Sequence, residues 1–257
     1  MDKKTVFRDA IRDTVWLQLN RQVDIQVPLF TNKMRKIFTL QKIKTFIRLN
    51  GKKFVKKDIE DIKLNIQEET QAIKDEWLNP SIGVVVSTSM QTADIFNFIN
   101  DNINIPDARA FLIAEINKFA KETTETTNAL LAESLIEGID NGEPIYQLQN
   151  RITTIFEKAD VARAEMIAKT ELTRITTWSN EQIYEQAGVE YKEWLTNPGA
   201  CEYCRPMNGK IVKIGEPFFK KNSDAPGDEG GSLSLKYETV LRPPLHPSCR
   251  CDLLPVL

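Results

Sequence analysis

The sequence of 257 residues contains one histidine, His246, and this scarcity narrows the enzymatic chemistry that it can support. A metal-bound His246 leaves no histidine to act as a general base, which excludes Ser-His-Asp and Cys-His nucleophile arrangements. The phosphate-binding patterns Gly-x-x-x-x-Gly-Lys-Ser/Thr and Gly-x-Gly-x-x-Gly are missing as well. We therefore expect a protein that is not an enzyme.

Long apolar runs are also missing. The best run, residues 82–86, is far shorter than the roughly 18 apolar residues that a membrane-spanning helix needs. Behind the first residues, Met-Asp-Lys-Lys-Thr, there is no apolar segment and no small-residue cleavage site. We expect a soluble, intracellular protein with no membrane partner.

Acidic residues are scarce at the start of the chain. Residues 1–57 hold 15 Lys and Arg against 4 Asp and Glu, although the whole chain has a net charge of only −2. Such a basic arm is typical of a solvated helix face, but it also suits packaged nucleic acid or an acidic patch on a partner or on the chain itself. Few aromatic residues interleave with the lysines, so a stacking platform for single strands is not indicated.

Apolar residues at helical spacing predict helices through most of the first 190 residues. We predict helices over 5–20 and 32–49, with breaks at Pro28 and at Asn50-Gly51. An amphipathic helix is predicted over 57–78, ending before Asn79-Pro80. The β-branched residues in 82–87 favour a short strand.

Three further helices are predicted after this point. One runs from Pro106-Asp107 towards Gly138 with a polar, Thr-rich middle, and a turn follows at Asp140-Asn141-Gly142. A second covers 144–156, and the third covers 160–187 with Asp160 as its N-cap and Gly188 as its stop signal. In this last helix, Glu171 and Arg174 either pair on one face or belong to a polar network that locks the helix onto the module after it.

The pattern changes to short strands and loops after Gly188. Residues 190–196 alternate apolar and polar side chains as a strand does, and 222–234 has the composition of a flexible loop. The predicted fold class is therefore α+β, with a mainly helical N-terminal region followed by a small module of short antiparallel strands.

All four cysteines and the single histidine lie in the last 57 residues. The order is Cys201-Glu-Tyr-Cys204, then His246-Pro-Ser-Cys249-Arg-Cys251. Zinc prefers four thiolate or imidazole ligands, and two cysteines three residues apart on a tight turn commonly supply half of them. Asn208-Gly209 is hairpin-turn chemistry, so we expect the first pair to lead into a β-hairpin.

Five candidate ligands exist for four places. Cys201 and Cys204 are expected to act together, and the other half is either His246 with Cys249 or Cys249 with Cys251. His246 with Cys249 is slightly favoured because Pro247 stiffens the turn between them. Two disulfides, a Cys-x-x-Cys redox site and unligated cysteines are the weaker alternatives.

A structural zinc ion fits this donor set better than a catalytic one. Catalytic zinc usually keeps one open position, whereas the thiolates here are numerous enough to close the shell. The last 60 residues contain few large apolar side chains, and a unit that small commonly needs a metal to fold. Zinc can contribute on the order of 10 kcal/mol to the folding of such a module.

The ordered combination of these motifs resembles the bacteriophage minor head protein family, the head-morphogenesis family that includes phage Mu protein F. The matching features are Ala164-Glu-Met-Ile-Ala-Lys-Thr-Glu171, Gly188 after the helix, Trp194 on a strand, Cys201-x-x-Cys204, Asn208-Gly209-Lys210 and Pro244-Leu-His-Pro-Ser-Cys-Arg-Cys251. Many members of that family carry an Arg and a His where this sequence has Cys201 and Cys204.

The resemblance covers roughly residues 130–257 and implies a domain organisation. We expect a helical N-terminal region over 1–130, with the basic arm at 1–57, and a Mu F-like minor head domain over 131–257, with its zinc module at about 190–257. The family also implies a non-enzymatic virion component near the portal, made in the host cytoplasm, that assists head assembly, DNA packaging or ejection. Its partners would be the portal protein, capsid or scaffold proteins, and packaged DNA through residues 1–57.

Two other functions compete with this expectation. A zinc-dependent hydrolase or nuclease requires an open metal site and a base such as Glu193, Glu202 or Asp252. A free-standing DNA-binding zinc protein requires more basic residues near the cysteines than the four present, which are Arg205, Lys210, Arg242 and Arg250.

Overall fold

The structure, a computed structural model, describes residues 3–49, 54–96 and 103–256. Helices dominate up to residue 186, and short antiparallel strands follow, which confirms the predicted α+β class. The helices are α1 (Lys3–Leu49), α2 (Ile59–Ile62), α3 (Ile66–Phe96), α4 (Arg109–Asp140), α5 (Ile145–Lys158) and α6 (Ala164–Gln186). The strands are β1 (Tyr191–Leu195), β2 (Ile211–Lys213), β3 (Ser223–Pro226), β4 (Ser232–Leu235) and β5 (Asp252–Val256).

The chain forms two compact units that alternate along the sequence. Unit 1 contains Met1–Val27, Ser81–Ala108 and Met166–Leu257, and unit 2 contains Pro28–Pro80 and Arg109–Glu165. The helices α1, α3 and α6 therefore each contribute residues to both units. The division into 1–130 and 131–257 follows the sequence resemblance and stays a prediction.

Two predicted helix breaks at prolines are wrong. Pro28 lies inside α1 and Pro80 lies inside α3. A proline removes only one hydrogen bond of the helix ladder, and tertiary packing compensates for that loss. In unit 2 this packing includes the edge-to-face contact of Phe30 with Trp77, whose ring centroids lie 4.6 Å apart. The predicted break at Asn50-Gly51 lies outside the described residues.

The strand predicted over 82–87 is also wrong, because these residues belong to α3. Val84 and Val85 are almost fully buried on that helix. Burial of β-branched side chains outweighs their weak preference for strands.

The amphipathic helix predicted over 57–78 is interrupted. A 3-10 turn (Lys56–Asp58) and α2 come first, and α3 starts only after Asn65, whose side-chain oxygen accepts a hydrogen bond from the N–H of Glu68. At this break the amide of Asn128 in α4 binds the N–H and the carbonyl of Leu64. The polar middle of α4 therefore holds a chain break in place.

Acidic residues of unit 2 neutralise much of the basic segment. The ion pairs are Lys33 and Lys36 with Glu76, Arg35 with Asp160, Lys42 with Glu157, Lys44 with Glu69, and Lys56 with Asp140. Lys36 and Lys33 lower the pKa of Glu76 by hydrogen bonding to its carboxylate. Of the alternatives that the charge pattern left open, these contacts match the acidic patch on the chain itself.

The predictions for α4, the turn after it and α5 are confirmed. Gly142 has a positive φ of 68°, and the N–H of Glu143 binds the carbonyl of Gly138 to close the turn. A π-helical segment, Ala159–Arg163, joins α5 directly to α6, so Asp160 is not an N-cap as predicted. Gly188, with φ of 75°, ends α6 as predicted.

The strands form two antiparallel sheets. The larger sheet has the order β2-β1-β5, and the smaller one pairs β3 with β4. The strand at 190–196 is confirmed, but four consecutive residues of β1 are buried, so its alternating pattern does not reflect one exposed face. The flexible loop predicted over 222–234 is wrong, because most of it forms the β3–β4 hairpin.

A polar stripe on α6 holds the strand module of unit 1. The stripe consists of Thr170, Arg174, Thr177, Glu181 and Tyr184, whose spacing of three and four residues places them on one helix face. Their partners are the N–H of Ser248, the carboxylate of Glu238, the carbonyl of Pro243, the side chains of Lys192 and Arg242, and the carbonyl of Leu253. Arg174 also pairs with Glu171 at 3.3 Å, so both readings of this helix face are confirmed together.

The buried ion pair in this stripe gives a test of the packing. The side chain of Lys192 is 0% exposed and its partner Glu181 is 2% exposed. Removing one member of such a pair leaves an unpaired charge in a poorly solvated place, which costs about 3–5 kcal/mol.

We expect Glu181→Gln to lower the free energy of unfolding by about 3 kcal/mol, measured by urea denaturation with circular dichroism. Glu185→Gln, one turn further along α6 at an exposed position, is the matched control and should change stability by less than about 0.5 kcal/mol. Equal stability of the two variants would mean that the pair does not hold the module.

Candidate metal centre

The pairing of β1 with β5 brings the two halves of the cysteine cluster together. The two strands are antiparallel, with Leu195 opposite Asp252, so the end of β1 and the start of β5 lie at the same edge of the sheet. Cys201 and Cys204 follow β1, whereas His246, Cys249 and Cys251 precede β5. Segments more than 40 residues apart in sequence therefore meet at one place.

A tight turn aligns the first two cysteines. The carbonyl of Cys201 accepts hydrogen bonds from the N–H groups of Cys204 and Arg205, at 3.0 and 2.9 Å. A second turn follows, in which the N–H of Lys210 binds the carbonyl of Met207 at 3.0 Å. Asn208 (φ −56°, ψ 123°) and Gly209 (φ 81°) give this turn type II geometry.

The hairpin expected at Asn208-Gly209 is therefore only partly correct. These residues do lead into a strand that pairs with β1, but a 15-residue connection, 196–210, joins the two strands instead of a two-residue turn. The N–H of Gly209 binds the carbonyl of Trp194 at 2.9 Å, which ties this connection back to β1.

The five predicted ligands form two overlapping groups of three. Cys201, Cys204 and His246 make one group, and Cys204, Cys249 and Cys251 make the other. Within each group all donor atoms lie within 4.8 Å of one another, and Cys204 belongs to both. The structure thus brings together every residue that the spacing singled out, and these groups can hold a metal ion.

The separations within the cluster are close to those of a tetrahedral zinc site. The Sγ atoms of Cys204 and Cys249 lie 3.7 Å apart, and tetrahedral zinc holds two thiolates about 3.7 Å apart. The Nε2 atom of His246 lies 3.1 Å from the Sγ atoms of both Cys201 and Cys204, compared with about 3.5 Å around such an ion.

The histidine ring is oriented for ligation by the atom that faces the thiols. Nδ1 of His246 donates a hydrogen bond to the carbonyl of Pro247 at 2.8 Å. Because that carbonyl can only accept, Nδ1 carries the proton and the lone pair of Nε2 points towards the two cysteines. A backbone carbonyl commonly fixes a ligating histidine in this way.

The loop between His246 and Cys249 is held by α6. Ser248 has a positive φ of 62°, which is uncommon for a residue other than glycine. Its N–H donates to Oγ1 of Thr170 at 2.9 Å, and the N–H of Cys249 binds the carbonyl of His246 at 3.1 Å. The polar stripe of α6 therefore fixes the loop that carries two of the ligands.

Three of the sulfurs lie in an apolar core. Cys204, Cys249 and Cys251 are each 2% exposed and pack in one cluster with Trp194 and Leu245. The neighbouring thiols of Cys249 and Cys251, together with burial, raise the pKa of Cys204. All four cysteines are free thiols. A divalent cation would relieve the repulsion that opposes several thiolates here, so the donor set suits zinc.

The β3–β4 hairpin covers the turn between Cys201 and Cys204. A Cβ atom added at Gly231 would lie 2.8 Å from the carboxylate of Glu202 and 2.9 Å from the hydroxyl of Tyr203. Arg205 forms a two-bond contact with Asp228, at 2.7 and 2.6 Å. Sequence reasoning missed this cover, although the alternation in Ser232-Leu-Ser-Leu235 is typical of a strand.

The carboxylates that a hydrolytic site would need have other surroundings. Glu193 is buried in β1, and the carboxylate of Glu202 faces the glycines of the hairpin. Asp252 is buried, accepts hydrogen bonds from the N–H of Leu253 and from Asn180, and has its pKa raised to about 7 by burial.

The four basic residues near the cysteines contact other residues of the chain. Arg205 pairs with Asp228 and Glu229, Arg242 with Glu181, and Arg250 with Asp24, while the ammonium group of Lys210 lies over the ring of Phe219. These contacts compete with any binding of phosphate groups by the same side chains.

In the part of the chain that the structure describes, no helix is both long enough and apolar enough to cross a membrane. Comparison with known proteins yields one family. Residues 129–254 match the family described as Phage Mu protein F like protein, and this range contains α6, the sheet and all five candidate ligands. The chain matches no curated protein and no solved structure. Through its C-terminal half, residues 129–254, this chain belongs to the phage Mu protein F like family.

Proposed function

We propose that this chain is a non-enzymatic minor head protein of a bacteriophage. It associates with the portal protein, enters the procapsid and assists head assembly, DNA packaging or ejection. The family match over residues 129–254 carries the proposal, because the matched range coincides with the part of unit 1 that holds the metal cluster. The protein would be made in the host cytoplasm and would end inside the head, near the portal.

Capsid or scaffold proteins are further partners of the proposed assembly. DNA contact through residues 1–57 is the weakest part of the proposal. Six of the basic side chains in that segment already pair with carboxylates of unit 2.

We further propose that the cluster binds one structural zinc ion through Cys201, Cys204, His246 and Cys249. The contacts of Cys204 with His246 and with Cys249 support this set, since a single ion can bridge donors at such separations. Cys251 would then lie beside the ion as an outer sulfur, packed with Trp194 in the same apolar cluster. Zinc would supply cross-linking of the two loops and no reaction step.

Zinc content tests this assignment directly. Protein purified without a chelator or histidine tag should contain about one zinc per chain by elemental analysis, the content of a single four-ligand structural site. Cys204→Ser should contain almost none, because Cys204 belongs to both donor groups. Zinc retained at the wild-type level in Cys204→Ser would rule out the proposed site.

Two further variants identify the fourth ligand. Cys249→Ser should lose zinc, whereas Cys251→Ser, a matched loss of one equally buried thiol, should keep it. The opposite result would move the fourth ligand to Cys251.

Portal binding tests the proposed function itself. The purified chain should bind the portal protein of the same phage with a Kd at or below the micromolar range, measured by calorimetry. Binding that weakens steeply with added salt would indicate an electrostatic contact, and a flat salt response would indicate an apolar one. No binding to portal or to procapsids at micromolar concentration would contradict the function.

A further inference from the structure

Helix α1 has a second apolar face within unit 2. One face is buried, with Phe30, Met34 and Phe38 at most 1% exposed. On the other side, Leu40, Ile43 and Ile47 are 45%, 48% and 68% exposed. We call these three residues the α1 stripe; their spacing of three and four places them on one line along the helix.

Single exposed aliphatic residues are ordinary, but a row of them on one helix is not. Side chains at positions i, i+3 and i+7 form the pattern with which helices dock against a partner. The remainder of this surface carries charge, so the α1 stripe is an apolar strip with a charged border.

The border of the stripe is basic on both flanks. Residues 25–49 contain six Lys and Arg and no Asp or Glu. On one flank Lys44 reaches Glu69 of α3, and on the other Lys42 reaches Glu157 of α5. Lys36, one turn before Leu40, shares Glu76 with Lys33. The helix itself therefore offers only cations, and the carboxylates that neutralise them stand further back.

This charge pattern distinguishes between possible occupants. A second copy that paired through the same stripe would place its basic flanks against those of the first copy, which is unfavourable. A nucleic acid would meet the cations but would gain nothing from three aliphatic side chains. A helix with aliphatic residues on one face and carboxylates on both flanks satisfies the stripe and its border together.

We propose that the α1 stripe is the docking site for an acidic amphipathic helix of another protein. This inference deepens the proposed function, on which it rests for the source of the helix, namely the portal protein. The α1 stripe would supply the apolar contact, and Lys36, Lys42 and Lys44 would select the acidic flanks.

The main experiment compares portal binding by two double variants. Ile43→Ser with Ile47→Ser removes the centre of the stripe from exposed positions, so the fold should persist, as checked by circular dichroism. The matched control, Leu130→Ser with Ile136→Ser, removes two aliphatic residues of α4 that are 42% and 38% exposed. We expect the stripe variant to bind portal at least about tenfold more weakly, and the control to bind as the wild type does.

The outcomes separate this inference from the proposed function. Wild-type binding that the stripe variant retains would overturn the inference and leave the function standing. If the wild type does not bind portal, the function fails, and a pair of synthetic amphipathic helices then decides about the stripe. The inference requires that a helix with glutamate flanks binds the wild type but not the stripe variant, and that its lysine-flanked counterpart binds neither. Absence of that difference overturns it.

Sedimentation covers the remaining occupant. The chain should be a monomer at micromolar concentration. A dimer that Ile43→Ser with Ile47→Ser dissociates, and that the α4 control does not, would assign the stripe to a second copy and overturn the inference.

Discussion

The antiparallel pairing of β1 with β5 is the contact on which the C-terminal module depends. It joins residues 191–195 to residues 252–256, and it thereby sets the turn after β1 beside the loop before β5. Without this pairing, Cys201 and Cys249 would belong to separate flexible segments. The module has a small apolar core, so a metal that cross-links the two loops would add to what the strand pairing and the core already supply.

Helix α6 fixes the same module from the side. Its polar stripe binds backbone and side-chain groups from β1, from the segment before the histidine, from the ligand loop and from β5. Buried ion pairs such as Glu181 with Lys192 add little net stability, but they penalise any other arrangement of the same elements. The stripe therefore specifies where the strands lie, while the apolar cluster around Trp194 supplies most of the burial.

Local chemistry predicted the parts of this structure that local chemistry decides. The turn at Asn141-Gly142, the end of α6 at Gly188 and the grouping of the five candidate ligands follow from glycine conformations and ligand spacing. Pro28, Pro80 and Val84 misled because tertiary packing overrides helix breaking and β-propensity. The β3–β4 hairpin was hidden by its loop-like composition, and which donors lie within reach of Cys204 depends on a long-range strand register that spacing alone does not encode.

X-ray absorption at the zinc edge of the purified protein tests the central claim most directly, because it reports which atoms bind the ion. The account predicts a four-coordinate zinc ion with three sulfur ligands at about 2.3 Å and one nitrogen ligand at about 2.0–2.1 Å. In His246→Ala the nitrogen contribution should disappear while sulfur ligation remains. A spectrum of oxygen and nitrogen ligands without sulfur, or folded protein without bound metal, would contradict it.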